Sequence, residues 1–219
     1  MIRYEFDMPK CVLCETRKPR RHCPAINGDI CAQCCGTSRE VTLVCPFDCG
    51  YLREARIHEK LVDVDPATFP HQDVKITERI LVSIEPALLA CAAAVAQGAI
   101  DGNAYDSDVR EALEGLIRTY RTMLLGLIYE AAPENGIAAS VFRRARTRID
   151  EYRDRVGMET SQRPMHTVEL ISALVFLQRM ALDNDNQRAK SRRFMDILRI
   201  HFPRKAANLL VDPSGPNTA

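Results

Sequence analysis

The rhythm of hydrophobic positions changes at about residue 65. From Met1 to Asp65 large apolar residues are scattered, as at Val12, Leu13, Ile26, Ile30, Val41, Leu43, Val44 and Phe47, and Cys, Pro and Gly punctuate them. So short a stretch buries too little apolar area to fold unaided, and metal-binding free energy can supply the difference. Beyond it the period is helical. Leu113, Leu116, Ile117, Tyr120, Leu124, Leu127 and Ile128 recur at intervals of three and four, as do Val141, Phe142, Ala145, Ile149, Tyr152 and Val156. They predict two amphipathic helices divided by a turn at Pro133 to Gly136. Ahead of them, Asp73 to Gln97 predicts one helix kinked near Pro86, or two short ones, because proline removes a backbone donor and restricts Glu85. Pro164 suits a first helical turn. The run through Leu170, Ile171, Leu174, Val175, Phe176, Leu177 and Met180 is apolar nearly all round and predicts the centre of a bundle. A last helix is expected over Gln187 to Phe202 with Phe194, Ile197, Leu198 and Phe202 inward, and no strand pattern follows residue 65.

Composition adds one asymmetry. Of nine cysteines, eight fall between Cys11 and Cys49, and Cys91 stands alone in an apolar helical stretch, as an inert core thiol. The stretch from Met1 to Asp7 lacks the features of a secretory signal, so a reducing cytoplasm is expected. There, clustered thiols serve as metal ligands or redox groups more often than as disulfides. The spacing is Cys11-x2-Cys14, eight residues, Cys23, seven residues, Cys31-x2-Cys34-Cys35, nine residues, Cys45-x3-Cys49. Two residues between cysteines let both sulfurs of a tight knuckle reach one ion, and sixteen residues separate Cys14 from Cys31, a usual spacing for two knuckles sharing a zinc. Cys11, Cys14, Cys31 and Cys34 are therefore assigned to a first site. Cys23, Cys35, Cys45 and Cys49 remain for a second, and adjacent Cys34 and Cys35, pointing apart, suit two ions better than one. His22, beside Cys23, is the substitute ligand should a thiol go unused, although an exposed histidine is the plainer reading. Two Zn2+ per chain are expected. An iron–sulfur cluster and a redox switch at the Cys34–Cys35 pair are the rival chemistries.

After Cys49 and Gly50, Tyr51 to Lys60 is rich in helix formers, which places the last cysteine pair at a helix N-terminus. Over about residues 10–60 the pattern resembles the treble-clef and cross-brace zinc fingers, such as B-box, RING and HIT-type modules, in spacing only. It departs from them in its adjacent cysteines and in having no firm histidine ligand. The resemblance implies a protein-interaction module. The expected fold class is a small metal-stabilised zinc-finger domain followed by an all-α helical bundle. Residues 1–65 form the cysteine-rich zinc-binding domain, 66–72 a linker around two prolines, 73–205 the bundle and 206–219 a disordered tail.

Charge tempers any nucleic-acid reading. Residues 1–60 hold ten Lys or Arg against eight Asp or Glu, and each all-thiolate zinc site would add about −2. The loaded module is then slightly negative, despite Arg17, Lys18, Arg20 and Arg21 on one loop. In the helical half Arg143, Arg144, Arg146 and Arg148 cluster, as do Arg188, Lys190, Arg192, Arg193, Arg199, Arg204 and Lys205. The second group offers a phosphate-binding face on the last helix. Ile80 to Ile100 approaches the length of a membrane span, but Glu85 and Pro86 favour a buried helix. No phosphate-binding glycine loop or nucleophile elbow is present, and His166 with Glu169, or His58 with Glu59, reads as capping or surface chemistry. The expected function is a zinc-binding, non-catalytic adaptor or regulatory protein with a protein partner and no membrane association. The alternatives are a nucleic-acid-binding regulator using Arg188, Lys190, Arg192 and Arg193, and a thiol redox sensor or enzyme.

Overall fold

Residues 9–61, 63–158 and 164–202 are described by the computed structural model. The chain divides into one unit of Met1–Lys60 with Gln187–Ser191 and another of Leu61–Asn186 with Arg192–Ala219.

In the first unit, β1 (Arg21–Cys23) and β2 (Gly28–Ile30) pair antiparallel, Arg21 opposite Ile30 and Cys23 opposite Gly28. Asn27 turns this hairpin at φ 46°, a left-handed conformation that asparagine tolerates. A Cβ on Gly28 would stand 3.1 Å from the Val12 side chain, so any larger residue there would crowd the first knuckle. Strand alternation sends Cys23 inward and leaves His22 exposed. Cys31 caps α1 (Ala32–Ser38) and Cys49 precedes α2 (Gly50–His58). Ile30, Leu43 and Leu52 form a small apolar centre among the cysteines. Glu40, 1 % exposed, is paired with Arg56 at 2.8 Å, as so deep a charge requires. The Gln187–Ser191 segment is bound through main-chain groups. Lys190 N–H donates to the Glu40 carbonyl at 2.7 Å, and the side chains of Arg188 and Lys190 donate to the carbonyls of Arg39 and Thr42 at 2.6 and 2.7 Å.

The second unit is helical: α3 (Glu78–Ser83), α4 (Glu85–Asp101), α5 (Asp106–Leu124), α6 (Gly136–Met158), α7 (Thr167–Asp183) and α8 (Arg193–His201). α4 and α5 each pack against both α6 and α7, and α8 lies on α4 and α5. Small residues make the α4 contacts close. Ala87, Ala90, Ala92, Ala94 and Ala99 are buried, and a Cβ on Gly98 would stand 3.2 Å from the Val141 carbonyl oxygen. Buried and half-buried polar groups cross-link the elements. Asp106, 2 % exposed, accepts the N–H groups of Phe194 and Met195 at 3.1 and 3.2 Å, two of the donors that the first turn of α8 leaves unmade. Glu114 faces the His71 ring at 2.9 Å and accepts from Gln178 at 2.8 Å. Burial would raise the Glu114 pKa, but the hydrogen bonds from Gln178 and His71 outweigh it and hold the carboxyl below its ordinary value. Arg179 donates to the carbonyls of Pro70, His71 and Val74 and so pins the segment ahead of α3 to α7.

Several boundaries differ from the sequence expectation. Asp73 to Gln97 yields two helices broken at Ile84, the first starting only at Glu78, where Thr77 caps it, and the second continuing to Asp101. α5 stops at Leu124 and Gly126 turns the chain at φ +78°. Leu124, Leu127 and Ile128, expected on its inner face, are 53, 58 and 104 % exposed. α7 begins at Thr167 rather than Pro164, because Glu169 accepts the His166 N–H at 2.9 Å and makes His166 the cap. It shares the bundle centre with α4. The last helix starts at Arg193, not Gln187; Met195 is buried in it, while Ile197 and Phe202 are half-buried. Within the expected linker, Pro66–Thr68 forms a 3-10 turn capped by Asp65. The expected tail 206–219, with Arg204 and Lys205, lies outside the described residues. No helix among the described residues is long and apolar enough to cross a membrane. Asp106→Ala should cost about 3 kcal/mol by leaving two buried N–H groups without acceptors. Urea unfolding checks this, with Asp154→Ala, whose carboxylate is paired only at the surface, expected to change stability by less than about 0.5 kcal/mol.

Candidate metal centre

Two tight turns bring four sulfurs together. Cys11 and Cys14 lie on a knuckle closed by the Glu15 N–H to the Cys11 carbonyl at 2.7 Å and the Cys11 N–H to the Arg17 carbonyl at 2.8 Å, with Glu15 at φ 54°. Cys31 and Cys34 lie on the first turn of α1, where Cys31 Sγ accepts the Cys34 N–H at 3.3 Å. Val12 N–H donates to the Asp29 carbonyl at 3.0 Å and ties the first knuckle to β2, which leads directly into the second. The Sγ atoms of Cys11, Cys14, Cys31 and Cys34 all lie within 4.8 Å of one another. A zinc–thiolate tetrahedron with bonds of about 2.3 Å has edges near 3.8 Å, so the group is positioned to hold a metal ion, of a size consistent with zinc.

Charge in this group is divided unevenly. The Thr16 hydroxyl, then the Arg17 and Thr16 backbone N–H groups, hold the Cys14 thiol down to about 5. The Cys34 N–H lowers Cys31 against the opposing effect of burial, with Arg17 assisting. At Cys34, Arg17 pulls the value down, but its hydrogen bond to Cys31 and burial prevail and push it up to about 11. Four adjacent thiolates repel one another unless a cation neutralises them, which is the service a bound metal performs. Arg17 supplies part of it: Nε donates to Cys31 Sγ at 3.3 Å and Nη2 to Cys34 Sγ at 3.7 Å, and its own pKa is raised by those sulfurs.

The other four thiols gather less tightly. Cys23, Cys35, Cys45 and Cys49 line one cavity of about 10 Å³, closed by Ile30, Leu43 and Leu52. Among the described residues no three of them have sulfurs all within 4.8 Å. Cys35 Sγ accepts from Arg21 at 3.4 Å and Arg39 at 3.7 Å, and burial raises the Cys45 thiol. Adjacent Cys34 and Cys35 thus face different groups. His22 also lines this cavity, and its exposed ring lies 3.0 Å from Asp29 Oδ1. Cys91 is fully buried in α4, and burial raises its thiol strongly.

The arginines that face sulfur were not singled out by the sequence pattern, which read Arg17 and Arg21 as members of a basic loop. Their position within a few residues of the knuckles was the available signal. The cations expected on the last helix are dispersed. Arg188 and Lys190 precede the helix and donate to carbonyls, and Arg192 donates to the Ala104 carbonyl and to Asn103 Oδ1. On α6, Arg144 and Arg148 face Asp101, and Arg146 pairs with Glu130 and Asp150. Cys31→Ser should lower the metal content and loosen the knuckle around α1, because Cys31 is both a ligand candidate and the cap of α1. The check is metal content together with hydrogen exchange of residues 9–60, and native-like protection at unchanged metal content would contradict it. No family model matches the chain, and searches of curated proteins and of solved structures return no match.

Proposed function

We propose that this chain is a zinc-binding, non-catalytic adaptor or regulatory protein whose first unit is organised by two structural zinc ions. The observation that carries the reading is the gathering of Cys11, Cys14, Cys31 and Cys34 within 4.8 Å. Cys23, Cys35, Cys45 and Cys49, around a cavity of ion size, hold the second zinc once the metal draws the looser sulfurs inward. All nine thiols are free, which suits a reducing compartment such as the cytoplasm.

The partner in this reading is a protein. Leu125, Leu127, Ile128 and Tyr129 are 76, 58, 104 and 65 % exposed in unbroken succession apart from Gly126. They do not stand out on a loose strand. Leu127 N–H donates to the Thr122 carbonyl at 3.0 Å, Thr122 Oγ1 to the Tyr129 carbonyl at 3.1 Å, and Ala131 N–H to Thr119 Oγ1 at 2.9 Å. An ordered apolar surface of this kind suits protein contact. A nucleic-acid partner is less favoured, since Arg188, Lys190 and Arg192 spend donors on carbonyls.

Metal analysis of the purified full chain should give two zinc ions, and Cys11→Ser or Cys45→Ser one each. One zinc in the parent chain would remove the second site, and iron would overturn the metal assignment. Leu125→Asp with Ile128→Asp should leave the thermal midpoint unchanged while abolishing cross-linking to the partner protein; a partner retained at full yield would contradict the use of this surface.

A further inference from the structure

Arg17 is engaged by two sulfurs of the four-cysteine group. Its guanidinium forks across the second knuckle, Nε to Cys31 Sγ at 3.3 Å and Nη2 to Cys34 Sγ at 3.7 Å. The same chemistry recurs on the other thiol group, where Arg21 and Arg39 both donate to Cys35 Sγ at 3.4 and 3.7 Å. Arg21 is further held over the Tyr51 ring, 4.7 Å from its centroid. Three guanidinium groups therefore address three of the eight clustered sulfurs, two of them converging on one atom.

We propose that Arg17 is an outer-shell shield of the metal centre, one that suppresses the reactivity of its Cys31 and Cys34 thiolates and slows metal loss. The inference rests on the reading that Cys11, Cys14, Cys31 and Cys34 hold zinc, and it adds what governs the chemistry of that site. The physical reason is electron density at sulfur. A zinc ion bound by four thiolates carries a formal charge near −2, and the excess resides on sulfur, where electrophiles and oxidants attack. An N–H donor on a ligand withdraws part of that density, orients the ligand and stabilises it in the bound form. A charged donor does so more strongly than a neutral one. Cys31 Sγ already accepts the Cys34 N–H at 3.3 Å, so Arg17 gives it a second donor. Arginine suits the position because its planar fork reaches two sulfurs at once, which a lysine ammonium, acting as a point charge, does less well. The basic loop of Arg17, Lys18, Arg20 and Arg21 is then partly a device for the thiolates rather than a surface for phosphate.

The test uses the zinc-loaded full chain. Zinc release to a chromogenic chelator and alkylation by N-ethylmaleimide, mapped by peptide mass, are followed in the parent, Arg17→Gln, Arg17→Lys and Lys18→Gln. Losing charged hydrogen bonds of ordinary strength predicts that Arg17→Gln releases zinc roughly tenfold faster, with Cys31 and Cys34 alkylated first. Arg17→Lys should fall between it and the parent, and Lys18→Gln, which removes the same charge from the same loop, should match the parent. Equal rates in Arg17→Gln and the parent would overturn the proposal, as would an equal acceleration by Lys18→Gln, which would mark a general charge effect. Should Arg17→Gln fail to fold, Arg17→Lys decides alone: release faster than the parent supports the fork and a parental rate overturns it. Zinc content of the parent chain reads the underlying metal assignment separately, since a chain without zinc refutes that assignment before any variant is compared.

Discussion

Four sulfurs held within 4.8 Å of one another set the terms for the first unit. Its apolar centre is little more than Ile30, Leu43 and Leu52, too small to fix two knuckles, a three-residue hairpin and two short helices by burial alone. The thiols compound the problem, because ionising them in a buried cluster invites repulsion and leaving them protonated forfeits their bonding capacity. A metal ion bound there would resolve both, since it would make the fold and the thiolates mutually stabilising. Positive φ at Glu15 turns the first knuckle, and at Asn27 it turns the hairpin that leads to the second.

The second unit uses a different physics. Its alanine-rich α4 lets neighbouring helices approach closely, and buried or half-buried polar groups tie helices to their caps and connecting segments. Asp106 serves α8, Asp108 ties Tyr105 to Asn135, and Arg179 gathers three carbonyls. Such groups give specificity of arrangement because each would be costly if displaced. They also explain why so many charges that look available in the sequence are already engaged.

Legibility followed the strength of each local signal. Val141, Phe142, Ala145, Ile149, Tyr152 and Val156 are all buried on α6 as their period implies, and the chain does form two helices around Pro86, which sits in the first turn of the second. The paired knuckles announced the four-sulfur group through spacing alone. The β1–β2 hairpin went unread, although Asn27-Gly28 is a strong turn dipeptide, because three-residue strands show no alternation to detect. Leu124, Leu127 and Ile128 continue the α5 period but face solvent, since periodicity cannot report that the helix ends at Leu124 and that Gly126 turns the chain. Gln187 to Ser191 looked like the start of a basic helix. Its alternative, main-chain bonding to the end of α1 and the turn after it, depends on contacts about 150 residues apart in sequence, which no local pattern encodes.

X-ray absorption at the zinc edge of the purified full chain tests the metal-centred account most directly. The expected first shell is four sulfurs per zinc at about 2.3 Å, with no nitrogen or oxygen component. A mixed shell, or a bound metal other than zinc, would contradict it.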